Sequence, residues 1–550
     1  MTAEAFKPAE QPHVPDVLET LAQLPNDEVF TPPKVTNAML DILPAEVWSN
    51  PNYAWLDPAT KSGVFLREVF KRLMVGLEPW QSNPAKRREH ILRNMLYGAA
   101  ITSLSADIAR RSVYQTKNAT GTGVVDTSIK DWVVAFDDSD GNIKFVETKH
   151  LLDRRARQCV RCRAPVRLIR DQREHHAYSF IHDTYPTKEM ADMKFDVIVG
   201  NPPYQIGTEG HGATASAIYH FFVERAIAMN PRYVVMITPS RWFAGGKGVD
   251  GFRDQMIKDR RLVRLVDNPK LFDVFPQVEI KGGVSYFLWD REHDGDCEFS
   301  TRINGQITST ATRDLRAGDG VVLRDNRAVT ILNKVRGKKL PSVENWCSVT
   351  KPFGLTMRAN YPGSVPEPFD GAIPLIYNNR IGFSRPDQIQ RNHQWIDRWK
   401  VLLPRAGDGH GREVSYVLGE PIAIAPGSAC TQTYFIVGMF HSKTETKNFA
   451  YYVASKFARF LVLQRKVTQD VTPDRFRFVP QLDMKKRWTD NDLYKEFGLT
   501  KKEIDYIETT IQPREPILSL DSPIPSSHLP GGSKYRNAEE EVDDDEVDEE

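Results

Sequence analysis

The sequence lacks the features that mark membrane-bound, secreted and ATP-driven proteins. No apolar run reaches the roughly 18 residues of a transmembrane helix, and the N-terminus contains no apolar signal segment. Five cysteines in 550 residues give no disulfide framework. No Gly-x-x-x-x-Gly-Lys-Ser/Thr motif occurs, which excludes a P-loop ATPase within this chain. We therefore expect a soluble, cytoplasmic protein.

The formal net charge of +1 conceals an uneven distribution of charge. The last twelve residues, EEEVDDDEVDEE, hold ten acids and no base, so the rest of the chain carries +11. An acidic block of this kind is typical of a solvated, disordered tail. The basic remainder is compatible with a polyanionic partner such as nucleic acid, without requiring one.

Strand and helix patterns alternate over the first half of the chain. Apolar strand patterns occur at 53–58, 94–101, 195–200, 233–240, 262–268 and 283–290, and helical patterns separate most of them. The alternation predicts an α/β fold with a doubly wound, mostly parallel sheet. No long helix separates the last two strands, so we expect one strand to run antiparallel at an edge.

The length and changes in composition predict several domains. Residues 1–27 are a loose lead-in, 28–295 form the α/β domain, 296–510 form a second, mixed α+β domain, and 511–550 are a disordered acidic tail. An insertion at about 117–175 interrupts the first domain and is predicted to contain a hairpin that turns at Asp140-Gly141.

One short apolar strand ends in a stiff loop. Residues 197–199 suit a buried parallel strand, and Asn201-Pro202-Pro203-Tyr204 follows after one glycine. The prolines remove two backbone donors and fix two φ angles, so they would hold the Asn201 amide and the Pro202 carbonyl rigidly. Two acceptors and a flat ring suit the binding of a planar amine.

A second loop follows the first predicted strand and leads into a helix. It reads Asp57-Pro58-Ala59-Thr60-Lys61-Ser62-Gly63. Small residues at such a turn let a ligand approach the backbone amides of the helix N-terminus, although the pattern also fits an ordinary structural turn. Because ligands of open α/β sheets bind at the carboxyl ends of strands, we expect both loops at one edge.

Together with "EVFTPPKVTNAML" (28–40), these loops resemble the adenine-specific DNA methyltransferases of restriction–modification systems, the γ-class, TaqI-like group. That family has Phe-Thr-Pro, Asp-Pro-Ala-x-x-Ser-Gly and Asn-Pro-Pro-Tyr motifs in this order, followed by a target-recognition domain. The resemblance covers residues 25–291. The second domain resembles the family's target-recognition domain only in position and size. It implies a Rossmann-like methyltransferase domain, S-adenosyl-L-methionine as cofactor, N6 of adenine in double-stranded DNA as target, and a partner restriction endonuclease in some systems.

The resemblance also assigns site residues. Asn201, Pro202 and Tyr204 would be catalytic, with the Tyr204 ring stacked on a flipped adenine. The cofactor-binding residues would be Phe30, Thr31, Pro32, Asp57, Ala59, Ser62, Gly63 and Asp183.

The chain departs from the family pattern at two places on the cofactor side. Thr60-Lys61 stands where Cys-Gly or Gly-Gly is usual, so Lys61 would crowd the turn or point outward to an anion. Ala100 stands where an acid usually holds the cofactor ribose. These departures keep open a catalytically inactive DNA-binding subunit. The Asn-Pro-Pro-Tyr loop alone would also suit an enzyme acting on an RNA guanine or a protein glutamine.

Three further patterns each have two interpretations. Arg241 and Trp242 would contact the substrate or belong to a surface loop. Residues 378–400 interleave arginine with tryptophan, which fits DNA contacts or a solvated face over core tryptophans. Cys159 and Cys162 would be half of a structural zinc site, with His150 and His175 or His176 in reach, or two ordinary thiols.

Overall fold

The computed structural model describes residues 30–122, 127–148, 150–155, 157–164, 178–187, 190, 193–206, 216–245, 248–270, 274–275, 282–356, 365, 367–407, 415–466 and 470–523. Two compact units meet in sequence between Asp314 and Leu315. The predicted lead-in, 1–27, lies outside the described residues, as does the acidic end of the predicted tail. Among the described residues, no helix combines the length and the apolar character that crossing a membrane requires.

The first unit is built around a nine-stranded sheet. Its strands are β1 (Trp55–Thr60), β2 (Leu96–Ala100), β3 (Ile143–Phe145), β4 (Val197–Gly200), β7 (Tyr233–Pro239), β8 (Leu262–Asn268), β9 (Val284–Asp290), β10 (Cys297–Ile303) and β11 (Gln306–Arg313); β5 (Gln205–Ile206) and β6 (Ser216–Ala217) form a small ribbon. Its helices include α1 (Pro33–Leu40), α2 (Val64–Gly76), α3 (Pro84–His90), α4 (Ser103–Tyr114), α5 (Tyr219–Ala228) and α6 (Asp250–Lys258).

The strand order is β11-β10-β8-β9-β7-β4-β1-β2-β3. Strands β3, β2, β1, β4 and β7 run parallel, in agreement with the predicted doubly wound, mostly parallel sheet. Every residue of β1, β2, β4 and β7 is buried, as expected of strands covered on both faces.

Of the last two predicted strands, β9 is the antiparallel one, and its position differs from the predicted one. It lies between β7 and β8 and not at an edge. The β10–β11 hairpin continues the sheet beyond β8, with β10 parallel to β8. The first unit therefore extends past the predicted boundary at residue 295, because these two strands complete its sheet.

The predicted hairpin around Asp140-Gly141 is wrong. Among the described residues 127–148, β3 alone is a strand; it pairs in parallel with β2 and places Phe145 beside Ala100. The Asp138 carboxylate accepts from the backbone N–H groups of Asp140 and Gly141, which makes a local turn. The chain therefore turns at residues 138–141, and β3 begins after this turn.

The second unit contains two smaller sheets with helices beside them, consistent with the predicted mixed architecture. Its strands are β12 (Ile373–Tyr377), β13 (Arg380–Ser384), β14 (Trp399–Pro404), β15 (Ile422–Ile424), β16 (Ala429–Cys430), β17 (Tyr434–Phe440) and β18 (Ile517–Ser519), and its helices are α7 (Asn326–Gly337), α8 (Lys443–Ala454), α9 (Lys456–Leu463), α10 (Asp490–Glu496) and α11 (Lys501–Thr510). One core cluster includes Phe353, Leu375, Leu402 and Ile436. Since β18 pairs with β15, folded structure continues past the predicted boundary at 510.

Candidate active site

The two predicted loops meet at the carboxyl edge of neighbouring parallel strands. β1 and β4 pair directly, so the chain leaves both strands at the same edge. A Cβ at Gly200 would lie 2.9 Å from Asp57 Oδ1, which makes glycine necessary for this approach. The Asp57 loop and the Asn201 loop therefore form one site.

The Asn201 side chain is held inside the protein by the N-terminal motif. It is 2% exposed, and its Nδ2 donates to Thr31 Oγ1 at 3.0 Å. Pro202 and Pro203 are buried as well. Because the amide nitrogen of Asn201 faces Thr31, the amide oxygen, Oδ1, points away from Thr31. Thr31 was predicted to border the cofactor; its contact with Asn201 was not foreseen, because these residues are 170 positions apart.

The Tyr204 ring is buried and has an aromatic neighbour that the sequence did not single out. The ring of Phe275 lies edge-on to it, at 6.4 Å between centroids and 72° between planes. Burial raises the pKa of Tyr204 well above its usual value, so the phenol is neutral. The only signal for Phe275 in the sequence was an aromatic residue before a proline at the carboxyl side of β8.

Asp57 is a buried acid, and opposing interactions determine its pKa. Its Oδ1 accepts from the Ala59 N–H at 3.2 Å. Burial raises the pKa of Asp57 to about 7, although the Ala59 N–H, the positive charge of Lys61 and a Thr60 hydrogen bond oppose the rise. A second cation at this place would favour the carboxylate form.

Lys61 does not take the outward position that was one of the two predicted for it. It is 6% exposed, so it does not point outward, and its charge acts on Asp57. In the same turn, Gly63 adopts φ +73° at the N-cap of α2. A Cβ at Gly63 would lie 2.9 Å from the Ala109 backbone of α4, so no larger residue fits.

The N-terminus of α2 offers backbone donors beside Asp57. No side chain caps this helix, and its N-cap residue is Gly63. Free N–H groups and the helix dipole favour an anionic group at this position. Ser62 is half-buried in the same turn, and Ala59 is buried. The loop thus presents an acid and an anion-binding helix end side by side.

An acidic residue, Glu147, follows β3, the strand next to Ala100. Ala100 is fully buried at the end of β2. β3 runs parallel to β2, so both strands end at the same edge of the sheet. Glu147 lies two residues beyond Phe145, the last residue of β3, and it is exposed. Sequence comparison with the family pointed only to the end of β2.

The other N-terminal residues assigned to the cofactor pocket lie at the start of α1. Phe30 and Pro32 are half-buried. The Pro32 carbonyl accepts from the N–H groups of Val35 and Thr36, which begins the helix. This start of α1 places Thr31 against Asn201.

Asp183 has protein partners that the sequence did not indicate. Its carboxylate pairs with Arg161, and its Oδ1 lies 3.1 Å from Arg225 Nη1 of α5. A cofactor would have to compete with both arginines for this carboxylate. The contact of Asp183 with the cofactor stays a prediction.

The prediction for Trp242 is corrected by its burial. Trp242 is fully buried against Phe243 and Phe252, so its ring belongs to the core. Arg241 is half-buried, and its charge acts on Tyr219 of α5. Of the predicted pair, Arg241 alone remains a candidate for a substrate contact.

The segment 378–400 has exposed arginines and a tryptophan packed against the core, which is the second of its two interpretations. Trp395 packs against the core of the second unit, and Lys400 is fully buried with its Nζ donating to three backbone carbonyls. Arg380, Arg385 and Arg391 are exposed. DNA contacts by these three arginines stay a prediction.

Cys159 and Cys162 are brought together with two histidines. His150 was foreseen as a partner, whereas the second histidine is His182. The alternatives His175 and His176 lie outside the described residues.

Comparisons with known proteins agree with the motifs. The family model described as Eco57I restriction-modification methylase matches residues 94–275. An uncharacterized adenine-specific methylase of Mycoplasma pneumoniae (strain ATCC 29342 / M129 / Subtype 1) is 32% identical over 322 residues, which cover 54% of this chain and 74% of that protein.

Similar solved structures include restriction–modification proteins. A modification subunit of a putative type I restriction enzyme from Vibrio vulnificus YJ016 is 17% identical, with a TM-score of 0.32 over 52% of this chain and 49% of the other. A nuclease-deletion mutant of the Type ISP enzyme LlaGI is 12% identical, with a TM-score of 0.44 over 87% of this chain and 46% of the other. The chain spans about half the length of these two proteins. By its likeness to the Mycoplasma protein and its Eco57I methylase region, the chain belongs to the adenine-specific methylase family.

Proposed function

We propose that this protein is a site-specific DNA adenine methyltransferase, the modification component of a restriction–modification or phage-defence system. It transfers the methyl group of S-adenosyl-L-methionine to N6 of an adenine in double-stranded DNA. The observation that carries the proposal is the buried Asn201-Pro202-Pro203-Tyr204 loop, fixed by Thr31 and joined to the Asp57 loop. A separate restriction endonuclease is a proposed partner.

Asn201 and Pro202 would act on the exocyclic nitrogen of adenine. This nitrogen is a poor nucleophile because its lone pair is conjugated with the ring. Asn201 Oδ1 and the Pro202 carbonyl would accept the two N6 hydrogens and so favour a pyramidal nitrogen. Most of the rate gain would come from orientation and from acceptors matched to the positive charge that develops on nitrogen.

Tyr204 would hold the target base. A base stacked in a duplex is out of reach, so the adenine must be flipped into the site. The rings of Tyr204 and Phe275 lie at a steep angle to each other. Tyr204 would stack on the face of the base, and Phe275 would contact its edge. Because the Tyr204 phenol is neutral, it adds no charge next to the reacting amine.

We assign the binding of S-adenosyl-L-methionine to the β1 loop. Bound there, this cofactor would supply an electrophilic methyl group on a sulfonium. Asp57 would hold its ammonium and the first turn of α2 its carboxylate, while Gly63 keeps that turn open. Glu147, at the carboxyl end of β3, is the proposed substitute for the ribose-binding acid that Ala100 replaces.

The proposal is tested by the methylation activity of the full chain. The protein is incubated with labelled S-adenosyl-L-methionine and duplex DNA, and the digested DNA is analysed for N6-methyladenine. Asn201→Ala should lower kcat on the order of 100-fold or more, since it removes an acceptor that acts in the transition state, and should leave cofactor affinity nearly unchanged.

Two further variants accompany this test. Thr31→Val should lower kcat less than Asn201→Ala does, because the amide remains but loses its fixed orientation. Asn94→Ala, at a helix end before β2, is the control and should keep full activity. Full activity of Asn201→Ala would contradict the mechanism. Methyl transfer to RNA or to a protein glutamine, but not to DNA, would replace the substrate, and cofactor binding without transfer would indicate an inactive DNA-binding subunit.

A further inference from the structure

Four metal-ligating side chains converge outside the proposed active site. The ligand atoms of His150, Cys159, Cys162 and His182 all lie within 4.8 Å of one another. Both cysteines are fully buried, His182 is 7% exposed and His150 is half-buried. Both cysteines are free thiols, so no disulfide accounts for their proximity.

The backbone builds this cluster from three separate segments. Residues 157–164, which we term the cysteine turn, reverse direction where the Arg163 N–H donates to the Cys159 carbonyl at 2.9 Å, with Arg163 at φ +57°. A bridge between Leu152 and Cys159 holds the segment after His150 against the turn. His182 comes from the segment that leads to β4 and lies 20 positions beyond Cys162.

Two of the distances between ligand atoms are close to those of a tetrahedral zinc site. Cys162 Sγ lies 3.3 Å from His150 Nδ1, and Cys159 Sγ lies 3.9 Å from His182 Nε2. Zinc bonds of about 2.3 Å to sulfur and about 2.0 Å to nitrogen give ligand–ligand edges of roughly 3.3–3.8 Å in a tetrahedron. Four side chains leave no open coordination position, which is typical of a structural site.

We propose that His150, Cys159, Cys162 and His182 bind one Zn²⁺ ion that fixes the insertion at the catalytic edge of the sheet. Two thiolates and two imidazoles form the Cys₂His₂ donor set that zinc prefers. The ion would close the chain between Cys162 and His182 and so link the insertion to the segment before the catalytic strand.

Contacts next to the four ligands show what the ion would hold in place. Arg161, between the two cysteines, pairs with Asp183, which also pairs with Arg225 of α5. Arg163 lies over the Phe221 ring of the same helix at 6.0 Å. Since α5 follows the Asn-Pro-Pro-Tyr loop, the cluster would fix the surroundings of that loop.

The metal content of the full chain tests this proposal, and the result does not depend on methylation. Tag-free protein from zinc-supplemented medium should contain about one zinc per chain by mass spectrometry. Cobalt exchange should give the intense visible bands of a tetrahedral site and a thiolate-to-metal charge-transfer band. Cys159→Ala with Cys162→Ala should reduce zinc to below about 0.1 per chain, whereas the matched pair Cys347→Ala with Cys430→Ala should retain it.

X-ray absorption of the zinc-bound wild-type chain keeps the test decisive if the double variant fails to fold. Two sulfur and two nitrogen neighbours at about 2.3 and 2.0 Å are expected. Absence of zinc from the wild type after incubation with the ion, or a coordination shell without sulfur, would overturn the proposal. Failure of DNA methylation with zinc present would count against the proposed function alone.

Discussion

Single residues decide whether the Asp57 loop and the Asn201 loop can lie together. Gly200 leaves room for Asp57 Oδ1, and Gly63 leaves room for the α4 backbone. Lys61 places a positive charge near Asp57, yet the pKa of Asp57 is still raised to about 7. The acid therefore titrates near neutral pH in the ligand-free protein.

This titration predicts that cofactor affinity depends on pH. Below about pH 7 Asp57 is largely protonated and neutral, and above it the carboxylate can hold an ammonium group. Affinity for S-adenosyl-L-methionine should therefore rise by up to about tenfold per pH unit below pH 7 and level off above it, and binding should release a proton. Isothermal titration calorimetry at several pH values, in buffers of different ionisation enthalpy, measures both effects.

The control separates Asp57 from other titrating groups. Asp57→Asn should bind more weakly and lose most of the pH dependence, while any titration of the ligand itself remains. Asp196→Asn changes an acid at the start of β4, whose pKa is also raised by burial, and should keep the wild-type profile. Equal pH profiles for wild type and Asp57→Asn would contradict this role of Asp57.

Among the structural elements, the insertion exposes positive charge around its buried cysteines. Arg154, Arg155, Arg157, Arg161 and Arg163 are exposed. Arg161 is paired with Asp183, whereas Arg154 and Arg155 precede the cysteine turn and Arg157 is its first residue. Such a group of exposed guanidinium ions suits contacts with DNA phosphates.

These arginines should contribute to DNA affinity without reading sequence. Changing Arg154, Arg155 and Arg157 together to Gln should weaken binding to all duplexes and lower the slope of log K against log salt by about 1 for each lost phosphate contact. Fluorescence anisotropy at several salt concentrations measures the slope. Zinc content should stay at the wild-type value.

A matched variant removes the same charge elsewhere in the first unit. Lys71 in α2, Lys86 in α3 and Arg111 in α4 are exposed helix residues, and their triple change to Gln should leave the salt slope near that of wild type. Equal slopes for the two triple variants would show that the insertion has no special role in DNA binding.

At the scale of the whole molecule, each unit has its own sheet and core. The first sheet is complete at Arg313, and the second unit packs its own apolar cluster. Units with separate cores can fold separately. The second unit is the proposed target-recognition domain, because the methyltransferase motifs and both site loops belong to the first.

This division predicts the behaviour of a fragment comprising residues 1–314. It should unfold cooperatively and bind S-adenosyl-L-methionine within about threefold of the full chain, but lose most of its affinity for duplex DNA. Calorimetry and anisotropy measure these properties. A fragment cut at residue 295, which lacks β10 and β11, is the comparison and should be much less stable because it exposes β8 as a new edge. Full DNA selectivity in the 1–314 fragment would contradict the role of the second unit.

The sequence alone determined the class of fold, the family and the residues of the two loops. Buried parallel strands require continuous apolar runs, and the Asn-Pro-Pro-Tyr and Asp-Pro-Ala motifs are local, so both are visible without coordinates. The same local patterns made Cys159 and Cys162 candidate metal ligands. They could not decide between zinc and two ordinary thiols, because the histidine that completes the ligand set, His182, lies 20 positions beyond Cys162.

Tertiary structure decided every feature that depends on residues far apart in the chain. The bond from Asn201 to Thr31, the edge of Phe275 on Tyr204 and the choice of His182 all join separate segments. Burial also corrected residues whose type was misleading: Trp242 lies in the core and Lys61 lies inside the site. The physical reason is that hydrogen bonds, ring contacts and desolvation depend on proximity in space, which a linear pattern specifies only within one strand, helix or turn.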